Sequence, residues 1–187
     1  DHVECVRWGA TGLDVAPLHG EPTASDKNLL ARVFTGKYRP NWTHDFEDWL
    51  LYHAAAVLPM CFVSYLCGCD LRAASHELLR QMVAAQGEGY ALLARLGHPV
   101  APEGNEGLLD GGLKTRMWLA VVWIVARTKI GTLGVDDHCR HAPDEMRDLE
   151  AGFERIRGLA PDFPMPAWDA LLARMGNWNE VCRRGGT

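Results

Sequence analysis

The densest run of chemically capable side chains is Asp136-Asp137-His138-Cys139-Arg140-His141. Histidine, cysteine and carboxylate all ligate zinc, so a metal site is one reading of this run. No second cluster has ligand spacing, and neither Cys-x-x-Cys nor His-Glu-x-x-His occurs. The run therefore reads as a loop leading into a helix, and no metal is expected. Its His138 and His141 lie just before a helix N-terminus, a natural anion seat, where they could line a substrate cleft. Glu145 falls in the first turn of that helix, where compensation of the dipole alone would account for it. His53 sits inside a long apolar stretch. It is either a core imidazole satisfied by one hydrogen bond or a cleft-facing histidine. Cys67-Gly68-Cys69 reads as two buried thiols at a helix end rather than a redox pair. Gly9-Ala10-Thr11-Gly12 and Gly87-Glu88-Gly89 are fragments in the wrong surroundings for a phosphate-cradling loop. No nucleotide site is expected in this chain alone.

These residues must be positioned by helices. Residues 1–25 are rich in Gly, Pro and Thr and allow at most one short strand around Val3–Trp8. Asp26 reads as an N-cap for a short helix carrying Leu29, Leu30, Val33 and Phe34, stopped by Gly36. Asp45 caps a long helix expected over 46–67, kinked near 55–59 by Pro59 and ended by Gly68. Asp70 or Ser75 starts the next helix. Gly87 and Gly89 interrupt it and would suit close helix packing, and Gly97-His98-Pro99 ends it. A loop follows over 98–112. Leu113–Ile130 reads as one continuous helix, buried nearly all round in its middle. Pro143 opens another, with the stripe Met146, Leu149, Phe153 and Ile156. A last helix is expected from Ala167 to about Met175, then a frayed tail from Asn177.

Composition agrees with a globular helical chain. Of 187 residues, 48% are hydrophobic and 23% charged, which excludes disordered and low-complexity classes. The net charge of −5 comes with no concentrated basic patch, so no nucleic-acid partner is expected. Three of the six cysteines lie in or just after one apolar stretch, which suits free thiols in a reducing cytoplasm. No basic segment precedes an apolar one in the manner of a signal peptide. Trp49–Cys69 runs 21 residues without Asp, Glu, Lys or Arg, long enough for a bilayer. Its Tyr52, His53, Pro59 and Ser64 favour the central helix of a folded core, and no membrane partner is expected.

Three stretches together resemble one family. They are the acidic run into Trp49 with its proline-containing helix; Gly87-Glu88-Gly89-Tyr90 through Leu96-Gly97-His98-Pro99; and Asp144-Glu145-Met146 through Phe153, followed by Phe163-Pro164-Met165-Pro166-Ala167. Over residues 28–176 this order is similar to the C-terminal helical domain of the ketopantoate reductase (2-dehydropantoate 2-reductase) family. The resemblance implies an all-α, multi-helix bundle like the 6-phosphogluconate dehydrogenase C-terminal domain. It implies an NADP-dependent parent in which this domain holds a small 2-keto acid or related carbonyl. Glu145 would then be the catalytic acidic residue, with His53, His138 and His141 binding substrate. The family's lysine and asparagine positions hold Leu51 and Ala55 here.

The expected organisation is a linker or Rossmann remnant over 1–25, a helical domain over 26–176 and a tail over 177–187. A cytoplasmic homodimer is expected, packed through parts of the 46–67 and 113–130 helices. The alternatives are a non-enzymatic helical module that binds a ligand or partner, and a membrane-associated helical protein.

Overall fold

The computed structural model describes residues 13–17, 20–43, 46–102, 104–105 and 107–185. The expected strand near Val3–Trp8 and the Asp45 cap fall outside these residues. The chain divides into two compact units at Glu47/Asp48, not at residue 25.

In the first unit, β1 (Leu13–Val15), α1 (Ala24–Val33) and β2 (Pro40–Trp42) form a strand–helix–strand crossover. The strands pair in parallel, with Leu13 opposite Pro40 and Val15 opposite Trp42. Parallel strands need a long crossover between them, and α1 supplies it. This is why the short helix belongs with the strands rather than with the bundle. Thr23, not Asp26, is the N-cap of α1. Its hydroxyl accepts from the Asp26 amide, and the Asp26 carboxylate accepts from the Thr23 amide at 2.9 Å. That reciprocal box moves the helix start back three residues.

The second unit is all-α. The helices are α2 (Phe46–Leu66), α3 (His76–Arg95), α4 (Leu113–Val125), α5 (Lys129–Gly131), α6 (Asp137–His141), α7 (Pro143–Arg157), α8 (Pro166–Met175) and α9 (Trp178–Gly185). α2 is the central post. Its Tyr52, Ala55, Leu58 and Phe62 are fully buried against α3, α7 and α8 side chains in one core. By length and hydropathy α2 could cross a membrane, the one single helix among the described residues that could. Half of its apolar stretch is buried in this core, while Leu50 remains exposed.

Gly89 lets α2 and α3 approach. A Cβ there would sit 3.0 Å from the Ala55 Cβ and 3.5 Å from both the Phe153 and Trp168 rings. Between these glycines, Glu88 reaches out and accepts from the Ala167 and Trp168 amides, both at 2.9 Å. It thus fills the N-terminus of α8 from a different helix. Gln86, fully buried, donates to the Ala56 carbonyl in the turn before Pro59 and accepts from the Trp118 indole. One side chain thereby ties α2, α3 and α4.

Three expectations fail in this unit. The 113–130 helix breaks after Val125, because the Thr128 hydroxyl donates to the Val125 carbonyl and accepts from the Ile130 amide. The turned-back chain then brings Gly131 so close that a Cβ would lie 2.7 Å from the Val125 carbonyl oxygen. Nor is α4 buried all round: within it, Val122 is the buried residue. The tail is also not frayed. Asn177 caps α9, Trp178 packs edge-on against Phe62 and Tyr65, and Val181 is buried.

Candidate functional site

The 136–141 run is not a loop. Thr132–Asp136 makes one wide π-helical turn that leads straight into α6. Helical spacing sorts the run into two sets. Asp136 and Cys139, three apart, point inward and are buried; His138, Arg140 and His141 are exposed, with Asp137 partly so. The Asp136 carboxylate accepts from the Ser64 hydroxyl at 2.7 Å and the Leu71 amide at 3.0 Å. Its work is to fasten α6 to the end of α2. Arg140 pairs with Asp137 at 2.6 Å and donates to the Cys69 carbonyl.

The chain then reverses at Ala142, and Pro143 starts α7. This short reversal brings His138 Nε2 within 3.7 Å of Glu145 Oε1, with both side chains open to solvent. His141 Nδ1 lies 2.7 Å from the Asp137 carbonyl oxygen. A carbonyl can only accept, so Nδ1 carries the proton and a neutral His141 offers Nε2 as an acceptor. Of the four expected site residues, His138 and Glu145 are therefore joined, with His141 one helical turn away. His53 stands apart: its ring is exposed and stacked on Trp49, centroids 4.8 Å apart. Partial burial lowers its pKa. Among the described residues no hydrogen bond or ion pair joins His53 to the other three. One turn further along α2, however, Val57 packs on the Cys61–Cys139–Met146 cluster, beside Glu145 in sequence.

That cluster is made of soft, buried sulfur. The Cys61 thiol donates to the Met146 sulfur at 3.3 Å, and the Tyr65 hydroxyl donates to the Cys139 carbonyl at 3.1 Å. Its hydrogen bond to Cys139, together with burial, pushes the Cys61 thiol up, and the same bond lowers Cys139. Cys67 and Cys69 are half-buried rather than buried, and the described cysteines are free thiols. Among the described residues no three His, Cys, Asp or Glu side chains gather in a way that could hold a metal ion.

A second polar constellation escaped sequence reasoning. His98 Nδ1 lies 2.6 Å from Asp48 Oδ1, and the His98 carbonyl accepts from the buried Tyr52 hydroxyl at 2.9 Å. Tyr52 meets Tyr90 edge-on. Burial first, and the Asp48 charge second, push the Tyr52 hydroxyl up to about 12. In sequence Asp48 reads as dipole compensation and His98 as a helix stop. They are 50 residues apart, and no local pattern links them. The pair fastens the turn after α3 to the start of α2.

The positions that the family resemblance assigns to lysine and asparagine are occupied by packing. Leu51 leans on the core, and Ala55 is fully buried against Gly89, where an asparagine amide would not fit. Two hollows in this unit lie elsewhere. One is an apolar cavity of about 50 Å³ between Met60, Leu79, Met82, Trp118 and Val122. The other is a groove of about 510 Å³ beside Arg95, Asp162 and Phe163.

No family profile, curated protein or solved structure matches the chain.

Proposed function

We propose that this chain is the helical, substrate-positioning part of an NADP-dependent reductase of small 2-keto acids, of the kind that the ketopantoate reductase resemblance implies. The observation that carries the reading is the order of its parts: a parallel strand–helix–strand crossover, then an all-α body with an acid–imidazole pair on its rim. Two three-residue strands do not make a free-standing sheet, and parallel strands are normally covered on both faces. They are the kind of unit that a larger doubly wound domain contains.

The described residues do not fit the dinucleotide itself. The helix that follows a strand, α1, has its first amides occupied by the Thr23 hydroxyl and beside it the Asp26 carboxylate. A pyrophosphate would meet negative charge there rather than free amides. The cofactor would have to be seated by other residues.

What these residues offer is a proton and an orientation. His138 is the group that can deliver a proton to a substrate oxygen, and Glu145 at 3.7 Å holds its ring in place. Protonated His138 is a seat for a 2-keto carboxylate, and His141, whose Nδ1 proton goes to the Asp137 carbonyl, presents an acceptor beside it. The reductase reading goes with a cytoplasmic location.

The test is calorimetry with a small 2-keto acid such as 2-oxobutanoate, on the chain as it is. Saturable binding at millimolar or lower concentration, weakened at least fivefold by His138→Ala and by Glu145→Gln, supports the reading. Equal binding by all three proteins, or none by the native chain, refutes it.

A further inference from the structure

α4 carries a face that no other described residue covers. Leu113, Met117, Val121 and Ile124 are 74%, 62%, 46% and 57% exposed. The first three lie at i, i+4 and i+8, with Ile124 three residues further, so they fall within one stripe of the helix. Val122, on the opposite side, is the residue that anchors α4 to the core. Trp123 does not extend the stripe: the Arg127 guanidinium covers its ring at 4.1 Å.

We infer that this stripe is a homodimer interface in which α4 of one copy crosses α4 of a second across a two-fold axis. Two arguments select a second copy, and a third, charge, separates it from other occupants. The first is area. At about 200 Å² for a fully exposed large apolar residue, the four side chains present roughly 480 Å². A stable interface buries about 800 Å² per partner, some 57–65% of it apolar, or roughly 450–520 Å². The stripe alone supplies that apolar quota, and it is of the size, about 300–600 Å², of the largest patch on a typical monomer, which is often functional.

The second argument is shape. Leu113–Met117–Val121 is an i±4 ridge, and two such ridges interlock at a crossing angle near −50°. A stripe meeting its own copy is self-complementary, as a two-fold contact requires.

The third argument is charge. Lys114 and Arg116 flank one end of the stripe, and Arg127 and Lys129 lie beyond the other. A parallel-sided pairing would set basic ends together. At −50°, helices about 20 Å long and about 9 Å apart separate their ends to roughly 12 Å, beyond the Debye length of about 8 Å. A crossed dimer therefore tolerates these charges and gains from salt. An acidic partner or an anionic lipid surface would be released by salt.

Sedimentation of the full chain decides the matter. At about 100 μM the native protein is expected at twice its monomer mass, with a dimer constant unchanged or tightened between 0.05 and 0.5 M NaCl. Met117→Lys and Ile124→Lys, both at exposed positions, should each weaken dimerisation at least tenfold with unaltered far-UV circular dichroism. Leu159→Lys, at a residue 69% exposed after α7, should leave the dimer intact. A monomeric native protein at 100 μM would overturn the inference, as would dimers indifferent to both α4 substitutions. Salt-sensitive retention on phosphatidylserine vesicles that Met117→Lys abolishes would overturn it in favour of a lipid surface.

Discussion

Replacing helical glycines by alanine should stabilise this protein at one position and destabilise it at another. In a helix interior, Gly→Ala contributes about 1 kcal/mol of stability through backbone entropy and propensity. At Gly152 in α7 the new methyl group meets nothing closer than the Arg155 guanidinium at 3.7 Å, so the gain survives. Gly152→Ala should stabilise by about 0.5–1 kcal/mol and raise Tm by roughly 2–4 °C. At Gly89 the same methyl would sit 3.0 Å from the Ala55 Cβ, with aromatic carbons of Phe153 and Trp168 at 3.5 Å. Carbon pairs are most comfortable at about 3.5–4.0 Å, and the Ala55 Cβ cannot rotate away. Overpacking of this kind costs about 1–3 kcal/mol, which outweighs the helical gain. Gly89→Ala should therefore destabilise by up to about 2 kcal/mol. Ala55→Gly removes the clashing methyl, so in a double-mutant cycle the pair should show a favourable coupling of at least about 1 kcal/mol. Guanidinium unfolding followed by far-UV circular dichroism measures all four proteins. The close approach of α2 and α3 is refuted if Gly89→Ala stabilises as much as Gly152→Ala.

Other substitutions probe the polar fastenings. Asp136→Ala leaves the Leu71 amide and the Ser64 hydroxyl without their acceptor, and should cost about 2–4 kcal/mol in the same assay; Asp136→Asn, which keeps one acceptor, should cost less. Tyr52 titrates higher in the folded chain, to about 12, than in the unfolded one, near 10. Its contribution to stability is complete below about pH 10 and lost as pH rises through 12, so Tyr52→Phe should flatten the stability profile across that window. An unchanged alkaline limb would contradict its burial.

The fold was legible where local chemistry speaks. The Pro59-containing helix, Ser75 as one of the two starts expected for α3, the Pro143 start and the close packing at Gly89 appear where periodicity and capping put them, but Gly87 and Gly89 do not interrupt α3, which runs unbroken. The break in α4 was not legible, because Thr128 gains its capping role only once the chain turns back over Val125. The tail misled for the opposite reason: Asn177, Glu180 and Arg183 look polar in sequence, while Trp178 finds a socket formed by residues more than 100 positions away. At the site, Glu145 and His138 are near in sequence and were found together. Asp48 and His98 depend on two helices docking, and their types alone could not pair them.

The substrate-positioning role can be read at its atoms by histidine side-chain NMR. Addition of a small 2-keto acid should move the ring resonances of His138 and His141 together, and leave His98, paired with Asp48, unmoved. Glu145→Gln should reduce the His138 response while leaving His98, held by Asp48, as it was. Rings of His138 and His141 that stay fixed while the 2-keto acid reaches tens of millimolar would contradict the account.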